Sequence, residues 1–320
     1  MGLIKEFLAM VSFVWVFGCS CASGLLEHQF YRNSCGAAEM IVKEEVKTSV
    51  LTDPSTAAAL LRLAFHDCQV DGCDASILLG EPNSLPMELK SDKNFGIRKM
   101  GIIDMIKTSL EQHCPQTVSC ADIIQLAARE AIYLSGGPYI QVLTGRRDSV
   151  SASKQRADKQ LPASDISIDE FIRIFGENNI SLEEGVALIG AHTLGRTHCR
   201  NIIDRLQPRT DPTLSPVFSL LLKTVCSNPY LSDITFAQND ATVFVFDNRY
   251  FLDIQDGRGL LKIDSEVARD PRTRPYVVMF GRDMMRFFDL FTSGFLRLSS
   301  SKVLVGEEGE IRKDCRFRNK

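Results

Sequence analysis

The chain has 320 residues, of which 44% are hydrophobic and 24% charged, and its formal net charge is −3 at pH 7. This composition is typical of a globular protein that is long enough for one large domain or for two lobes sharing a core. The weakly acidic balance argues against nucleic acid and against anionic membrane surfaces as general partners.

The first element in chain order is an apolar run, FLAMVSFVWVFG, which follows Lys5 and precedes the small residues of CSCASG. This order is typical of a secretory signal peptide. We therefore predict that residues 1–23 are removed and that residues 24–320 form the mature protein. The run is too short to span a bilayer comfortably, and no other segment comes close, so no membrane anchorage is expected.

Helical periodicity dominates the rest of the chain. Helices are predicted over residues 37–50, 55–68, 102–112, 121–134, 168–175, 182–193, 214–225, 246–254 and 274–291. Ser181 and Glu184 form a capping box at the start of the sixth. Strand-like alternation is short and scarce. The sequence therefore predicts a mainly α protein, and the loop-rich stretch 145–165 is the predicted boundary between two lobes.

Ten cysteines become eight when Cys19 and Cys21 leave with the predicted signal peptide. An even number in a secreted chain favours disulfides. Proximity selects only one pair, Cys68 with Cys73. Zinc binding is the alternative, but the spacings lack paired C-x-x-C units and the expected compartment is oxidising.

The stretch LRLAFHDCQVDGCDASILL, residues 61–79, combines a helix with a polar loop. Arg62 and His66 are four positions apart and share one helix face. An arginine beside an imidazole on an apolar face is costly unless it meets an anion, a polar substrate or a cofactor. The alternative is a hydrogen-bonded core histidine beside a surface arginine.

The loop after this helix is rich in oxygen atoms that suit a hard cation such as calcium. The side chains of Asp67, Asp74 and Ser76 and the carbonyls of Val70 and Gly72 are the candidates. The alternative is a turn with solvated aspartates. A disulfide across the loop would favour the metal site.

A second stretch, LIGAHTLGRTHC, places His192 in an apolar helix. His192 could be a core histidine, or a ligand of a metal or of haem iron. A ligating histidine needs its other nitrogen held, usually by a carboxylate. Asp264 is one candidate, although no spacing rule selects it. The other histidines, His28, His113 and His198, have polar neighbours or flank cysteines, and no role is predicted for them.

These blocks occur in an order that resembles the secreted plant haem peroxidases of class III. The resemblance covers the whole mature chain, from FYRNSC to CRFRN. It rests on RLAFHDCQVDGCDASILL, SCADIIQLAAR, GRRDS, LPA, IGAHTLGRTHC, FDNRYF and LLKIDSE. It implies a two-lobed fold with haem between distal and proximal helices, approximately residues 24–163 and 164–320 of a single domain.

The resemblance also implies roles for individual residues. Arg62, Phe65 and His66 match the distal pocket above haem, with His66 as proton acceptor. His192 matches the axial ligand of the iron, and Asp264 matches its carboxylate partner. The cofactors implied are one haem b and two calcium ions.

Further matches surround this centre. Asn94 and Glu88 match the polar chain that holds the distal histidine, and Pro162 matches the entrance for aromatic substrates. Asp122 and Arg146 match a structural ion pair. The implied disulfides are Cys35–Cys114, Cys68–Cys73, Cys120–Cys315 and Cys199–Cys226.

Both calcium sites have counterparts in this chain. The distal site would use Asp67, Val70, Gly72, Asp74 and Ser76. The proximal site would use Thr193, Asn239, Thr242, Val245 and Asp247. Because Asn239 stands where the family has an aspartate, and Asp240 comes one residue later, the sequence predicts weaker calcium binding at the proximal site.

The implied activity is reduction of hydrogen peroxide with one-electron oxidation of phenolic donors by a monomeric enzyme. A catalytically inactive relative with a binding or structural role is the alternative, and the presence of Arg62, His66, His192 and Asp264 argues against it. A secreted hydrolase is disfavoured because the sequence has no G-x-S-x-G motif. The single sequon, at Asn179, and the short tail after Cys315 favour a glycoprotein of the extracellular space or cell wall.

Overall fold

A computed structural model describes residues 25–80 and 86–320 of the chain. The predicted signal peptide, with Cys19 and Cys21, lies outside these residues. The described ranges contain twelve α-helices: α1 (Ala38–Thr52), α2 (Ser55–Gln69), α3 (Met100–His113), α4 (Cys120–Leu134), α5 (Lys154–Gln160), α6 (Ile168–Gly176), α7 (Leu182–Ile189), α8 (Pro216–Cys226), α9 (Arg249–Gln255), α10 (Lys262–Arg269), α11 (Arg274–Arg282) and α12 (Met284–Ser300). Two short antiparallel strands, β1 (Arg196–His198) and β2 (Phe236–Gln238), form a small sheet. The prediction of a mainly α protein with few strands is confirmed.

Two short helices and one helix break differ from the sequence-based prediction. The helices α5 and α10 fall in stretches that were not predicted to be helical. The helix predicted over residues 274–291 is wrong, because α11 ends at Arg282 and α12 begins at Met284. Asp283 separates them in an extended conformation, and its side chain accepts a hydrogen bond from the backbone N–H of Arg286 at 2.9 Å. Asp283 is thus an N-cap that starts a new helix.

The helices pack in two groups along the chain. In the N-terminal group, α4 packs against α1, α2 and α3; in the C-terminal group, α7 packs against α12, and α9 against α10 and α11. The helix α2 also contacts α12, and one hydrophobic cluster extends from Tyr31 to Cys315 through both groups. The exact division into lobes at residue 163 stays a prediction.

Helix α2 is fixed at both of its ends. At its start, Oδ1 of Asp53 accepts hydrogen bonds from the backbone N–H and the hydroxyl of Ser55, at 3.0 and 2.7 Å. At its end, the Cys68–Cys73 disulfide closes the following loop. Within this loop Gly72 has a φ of +110°, and a Cβ there would lie 2.0 Å from the carbonyl oxygen of Lys302. Only glycine fits this position.

Helix α7 begins at the capping box that the sequence predicts. The hydroxyl of Ser181 accepts from the backbone N–H of Glu184 at 3.2 Å, and the Glu184 carboxylate accepts from the N–H of Ser181 at 2.9 Å. The helix passes into a 3₁₀ turn, Gly190–Thr193, that contains His192. The cap therefore fixes the start of the helix that carries this histidine.

Four disulfides join the cysteines of the described residues in the pairs that the family resemblance implies, Cys35–Cys114, Cys68–Cys73, Cys120–Cys315 and Cys199–Cys226. These bonds use all eight cysteines of the predicted mature chain, so no thiolate is left for zinc. Among the described residues, no helix is both long and apolar enough to cross a membrane.

Candidate active site

Arg62 and His66 meet on one face of α2. Nε of Arg62 lies 3.0 Å from Nε2 of His66 and donates a hydrogen bond to it. The two other guanidinium nitrogens of Arg62 donate to the backbone carbonyls of Phe95 and Lys93, at 3.0 and 3.3 Å. The backbone on either side of Asn94 thus fixes the guanidinium beside the imidazole.

The hydrogen bonds of Asn94 define the tautomer of His66. The amide nitrogen of Asn94 donates to the backbone carbonyl of Glu88 at 2.8 Å, so the amide oxygen faces Nδ1 of His66 at 2.7 Å. This oxygen can only accept, so Nδ1 carries the proton and Nε2 is an acceptor. The predicted polar chain therefore runs through the main chain of Glu88 rather than through its carboxylate.

Burial and charge keep this imidazole neutral. Burial, and then the charge of Arg62, hold the pKa of His66 well below its ordinary value of 6.5, against the raising effect of the hydrogen bond to Asn94. Burial, and then Arg98, lower the pKa of Arg62 to about 10. At neutral pH the pair therefore combines a cation with an unprotonated base.

His192 lies in the turn after α7, and its Nδ1 contacts a buried carboxylate. Nδ1 lies 2.9 Å from Oδ1 of Asp264. The other oxygen of Asp264 accepts from the backbone N–H of Leu261 at 2.8 Å. The hydroxyl of Tyr250 also reaches Oδ1 of Asp264, at 2.9 Å. The carboxylate on one side of the ring leaves Nε2 on the other side for a ligand.

One cavity of about 810 Å³ contains both histidines in its lining. This volume is within the range of small-molecule and cofactor sites. Phe65 and Pro162, predicted from the sequence to face the cofactor and the substrate, also line the cavity. His198, for which no role was predicted, is a further lining residue, and its ring lies between those of Phe95 and Phe236.

Buried oxygens without partners mark the last turn of α2 and the loop that follows it. Oδ1 of Asp67 and the hydroxyl of Ser76 have no hydrogen-bond partner among the described residues. Oδ1 of Asp74 accepts from the backbone N–H of Ser76 at 2.9 Å. Burial, then Asp74 and Glu88, raise the pKa of Asp67 well above its ordinary value. A cation would relieve both the missing contacts and the repulsion.

A second set of oxygens surrounds Thr193. Its hydroxyl lies 2.6 Å from Oδ2 of Asp240 and 3.3 Å from Oδ1 of Asp247. The hydroxyl of Thr242 lies 3.1 Å from the same oxygen of Asp247 and 3.3 Å from Oδ1 of Asp240. The carbonyl of Val245 is 3.5 Å from the Thr193 hydroxyl.

Asn239, expected in this set, is not brought to it. Its amide oxygen accepts from the hydroxyl of Thr197 at 2.7 Å, and its amide nitrogen lies 3.4 Å from the carbonyl of Leu194. The Asp240 carboxylate lies instead beside the hydroxyls of Thr193 and Thr242. In the sequence, the only sign of this arrangement is that Asn239 and Asp240 are adjacent. A shift of one residue along the loop places Asp240 where Asn239 is expected.

The remaining predicted residues occupy structural or surface positions. Arg146 donates to Asp122 at 2.8 Å, and both side chains are fully buried. Asn179 is exposed, in the left-handed conformation with a φ of 56°, just before the cap of α7. Tyr250 is a residue that the sequence analysis missed, although it lies within the quoted block FDNRYF.

Known proteins resemble this chain over most of its length. A family profile described as Peroxidase matches residues 42–283. Among curated relatives from Arabidopsis thaliana, Peroxidase 29 is 46% identical over 314 residues, which cover 93% of this chain and 92% of the relative. Peroxidase 21 is 42% identical over 301 residues, with the same coverage. Peroxidase 42 is 42% identical over 294 residues, with 91% of this chain and 89% of the relative covered.

A mainly helical fold with two histidines lining one cavity is consistent with the haem peroxidase class. On the comparisons, the chain belongs to the peroxidase family, among the plant class III peroxidases. It is a peroxide-dependent oxidoreductase that uses hydrogen peroxide and a donor substrate. Membership implies haem and typically calcium, and the disulfides fit an oxidising compartment.

Proposed function

We propose that this peroxidase binds one haem b in the cavity through Nε2 of His192, reduces hydrogen peroxide with His66 and Arg62, and oxidises small phenols in one-electron steps. The observation that carries the proposal is the arrangement of the two histidines. They line the same cavity, and each has Nδ1 engaged by a side chain, Asn94 for His66 and Asp264 for His192. Nε2 of His66 can therefore accept a proton, and Nε2 of His192 can bind a metal ion.

The residues present fit a haem. Nε2 of His192 has no hydrogen-bond partner among the described residues, and it belongs to a cavity whose lining includes Phe65 and Leu194. Arg98 and Arg196 line the same cavity. An apolar space with one bare imidazole nitrogen suits the porphyrin and its iron, and the arginines suit the propionates. Asp264 would orient His192 and strengthen its donation to the metal.

The chemistry of the distal side follows from His66. When bound, haem would supply the iron at which peroxide binds and the oxidising equivalents that pass to the donor. Nε2 of His66 would take the proton from one peroxide oxygen and return it to the other, acting first as base and then as acid. Its lowered pKa keeps Nε2 unprotonated beforehand, and Asn94 holds the proton on Nδ1.

Arg62 would stabilise the charge that develops as the O–O bond breaks. Its guanidinium is fixed by two backbone carbonyls and remains cationic at neutral pH. A preorganised donor of this kind typically contributes about 10²–10³ in rate. His66 and Arg62 together therefore account for proton transfer and charge stabilisation without any other titratable group.

The donors are proposed to be small phenols that enter near Pro162. Support comes from the position of Pro162 in the cavity lining, together with Ala163 and Ser164. The three residues are small and partly exposed, so this edge admits an aromatic ring without enclosing it. Electron transfer needs only close approach of the ring to the cofactor, so a range of phenols is expected to react.

Calcium is proposed at two sites that fix the ends of the histidine-bearing helices. The distal ion would be held by the loop with Asp67, Asp74 and Ser76, and the carbonyls of Val70 and Gly72. The proximal ion would be held by Thr193, Asp240, Thr242, Val245 and Asp247. Both sets combine carboxylates with neutral oxygens, which is the donor chemistry that calcium prefers. Through Asp67, one residue after His66, the distal ion would stabilise the last turn of α2.

The proposal also includes secretion of the mature protein. We infer that residues 1–23 direct export, that residues 24–320 form a monomer with distal and proximal lobes, and that Asn179 carries a glycan in the extracellular space or cell wall. The four disulfides support an oxidising destination. The exposed position of Asn179 supports its modification.

The test is the absorption spectrum of the purified, haem-loaded protein before and after hydrogen peroxide. We expect a Soret band that shifts with peroxide and returns when a phenol such as guaiacol is added. His66→Ala should keep the Soret band but lose about 10²–10⁴ of the rate with peroxide. His192→Ala should alter the resting spectrum itself. A protein without a Soret band, or with one that peroxide does not change, would contradict the proposal.

A further inference from the structure

The Asp264 carboxylate serves two side-chain donors through a single oxygen. Oδ1 lies 2.9 Å from Nδ1 of His192 and 2.9 Å from the hydroxyl of Tyr250. A carboxylate only accepts hydrogen bonds, so the tyrosine must donate. Tyr250 is on α9 and is almost fully buried, and its ring stands perpendicular to the His192 ring with centroids 5.9 Å apart.

Asp264 is anchored independently of Tyr250. Its Oδ2 accepts from the backbone N–H of Leu261 at 2.8 Å, at the start of α10. The guanidinium of Arg205 donates to the carbonyl of Leu261 at 2.8 Å and to those of Gly259 and Leu260, each at 2.7 Å. Loss of the tyrosine hydroxyl would therefore leave the carboxylate in place, with one donor fewer.

Two donors on one oxygen divide its negative charge. Each hydrogen bond is weaker than it would be alone, since the acceptor is already polarised toward the other donor. The tyrosine hydroxyl therefore limits how strongly Asp264 withdraws the Nδ1 proton of His192. A carboxylate that interacts less strongly makes the imidazole a weaker electron donor at Nε2.

We propose that Tyr250 is a positioning residue that acts through Asp264 to tune the electron donation of His192 and, with it, the reduction potential of the haem iron. This inference rests on the proposed function, because it takes His192 as the iron ligand. The hydroxyl of Tyr250 would raise the reduction potential above that of a Tyr250→Phe variant, because weaker donation from the axial ligand stabilises ferric iron less.

Packing alone does not explain the hydroxyl. The ring of Tyr250 also contacts Phe251 edge-on, with centroids 5.1 Å apart. A phenylalanine at position 250 would keep these ring contacts. The buried hydroxyl has a cost in desolvation unless it is paired, and its described partner is the carboxylate beneath the histidine.

The experiment compares Tyr250→Phe with the wild type, both loaded with haem. The readouts are the ferric–ferrous reduction potential and the iron–histidine stretching frequency of the ferrous form. We expect the potential of Tyr250→Phe to shift to more negative values and the stretching frequency to rise. Asp264→Asn should shift both quantities the opposite way, because it removes the charge that both donors share.

Tyr31→Phe is the matched control. Tyr31 is also buried and donates to a buried carboxylate, Oδ2 of Asp122 at 2.7 Å, but that carboxylate pairs with Arg146 and not with a histidine of the cavity. The Tyr31→Phe variant should leave the reduction potential and the iron–histidine stretching frequency unchanged. If haem binds normally and Tyr250→Phe shifts neither quantity, or shifts both only as Tyr31→Phe does, the inference is wrong while the proposed function stands. Failure of the wild type to bind haem would overturn both.

Discussion

Nε of Arg62 donates to Nε2 of His66 over 3.0 Å, so the nitrogen proposed to accept the peroxide proton faces a cation. This contact has two effects that favour the reaction. It disfavours protonation of the imidazole, which keeps the base available. It also places the positive charge where charge develops as the O–O bond breaks.

The pH dependence of the reaction with peroxide follows from this pair. The base acts in its neutral form, and burial, then Arg62, hold its pKa well below 6.5. The bimolecular rate constant should therefore stay level as the pH falls to 6.5 and decline only as it passes through the lowered pKa. Stopped-flow measurements across this range provide the check, and a decline centred at 6.5 would show that the pKa is not lowered.

Arg62→Leu should both slow the reaction and move its acidic limit. The rate with peroxide should fall by about 10²–10³, the usual effect of losing one preorganised donor. Because the arginine charge lowers the pKa of His66, its removal should move the decline toward higher pH. Arg62→Lys retains the charge and should keep the acidic limit closer to that of the wild type. If the rate falls but the pH of the acidic decline does not move, the charge of Arg62 does not lower the pKa of His66, and this prediction is wrong.

Asn94→Leu tests the tautomer of His66 without removing the base. The amide oxygen of Asn94 lies 2.7 Å from Nδ1 of His66. Without it, the proton on Nδ1 has lost its acceptor and Nε2 becomes a weaker base. The rate with peroxide should fall, but by less than the about 10²–10⁴ expected for loss of His66 itself. Equal rates for Asn94→Leu and wild type would mean that the hydrogen bond does not matter for the reaction.

The sequence could predict the distal half of the site better than the proximal half. Arg62 and His66 are one turn apart on α2, so their spacing in the sequence already predicts that the two side chains lie side by side. Asp264 is 72 residues from His192, and only tertiary packing brings it there. No pattern in the sequence selects it, and the family resemblance was needed. The hydroxyl of Tyr250 was missed for the same reason.

The long, capped helices were also predictable, whereas the short polar ones were not. The capping box at Ser181 and the apolar periodicity of α2 are local signals. In contrast, α5 and α10, with the sequences KQRADKQ and KIDSEVAR, have few apolar residues and depend on their surroundings. Helix α10 begins where the Asp264 carboxylate accepts from the N–H of Leu261, but its N-cap residue is a leucine, so the usual capping-box pattern is missing from the sequence.

The exchange of Asn239 for Asp240 changes the expectation for the proximal calcium. From the sequence, an amide in place of a carboxylate predicts weaker binding. Because Asp240 lies beside Thr193 and Thr242, a second carboxylate joins Asp247 there, and we expect both calcium ions to survive mild chelation. Asp240→Asn should lose one ion and Asn239→Ala should keep both. Metal analysis of the three proteins provides the check, and the reverse pattern would restore Asn239 as the ligand.

The buried pair of Arg146 and Asp122 should stabilise the fold without a role in the reaction. Both side chains are fully buried, and the guanidinium also donates to the carbonyl of Ser299. Removal of one partner leaves a buried charge uncompensated, so Arg146→Met should lower the free energy of unfolding by about 3–5 kcal/mol. Arg173→Met, which breaks exposed pairs with Glu170 and Glu177, is the matched control. These pairs are screened by water, so no measurable change is expected.

Denaturant titration gives the stabilities of these two variants, and the rate with peroxide, measured on the folded fraction, gives their activity. Arg146→Met should match the wild type in this rate, because Arg146 does not line the cavity that contains His66 and His192. A stable Arg146→Met protein that reacts slowly with peroxide would instead give the pair a part in the reaction. The combination of lower stability with an unchanged rate is what distinguishes a purely structural ion pair from the functional pair of His192 and Asp264.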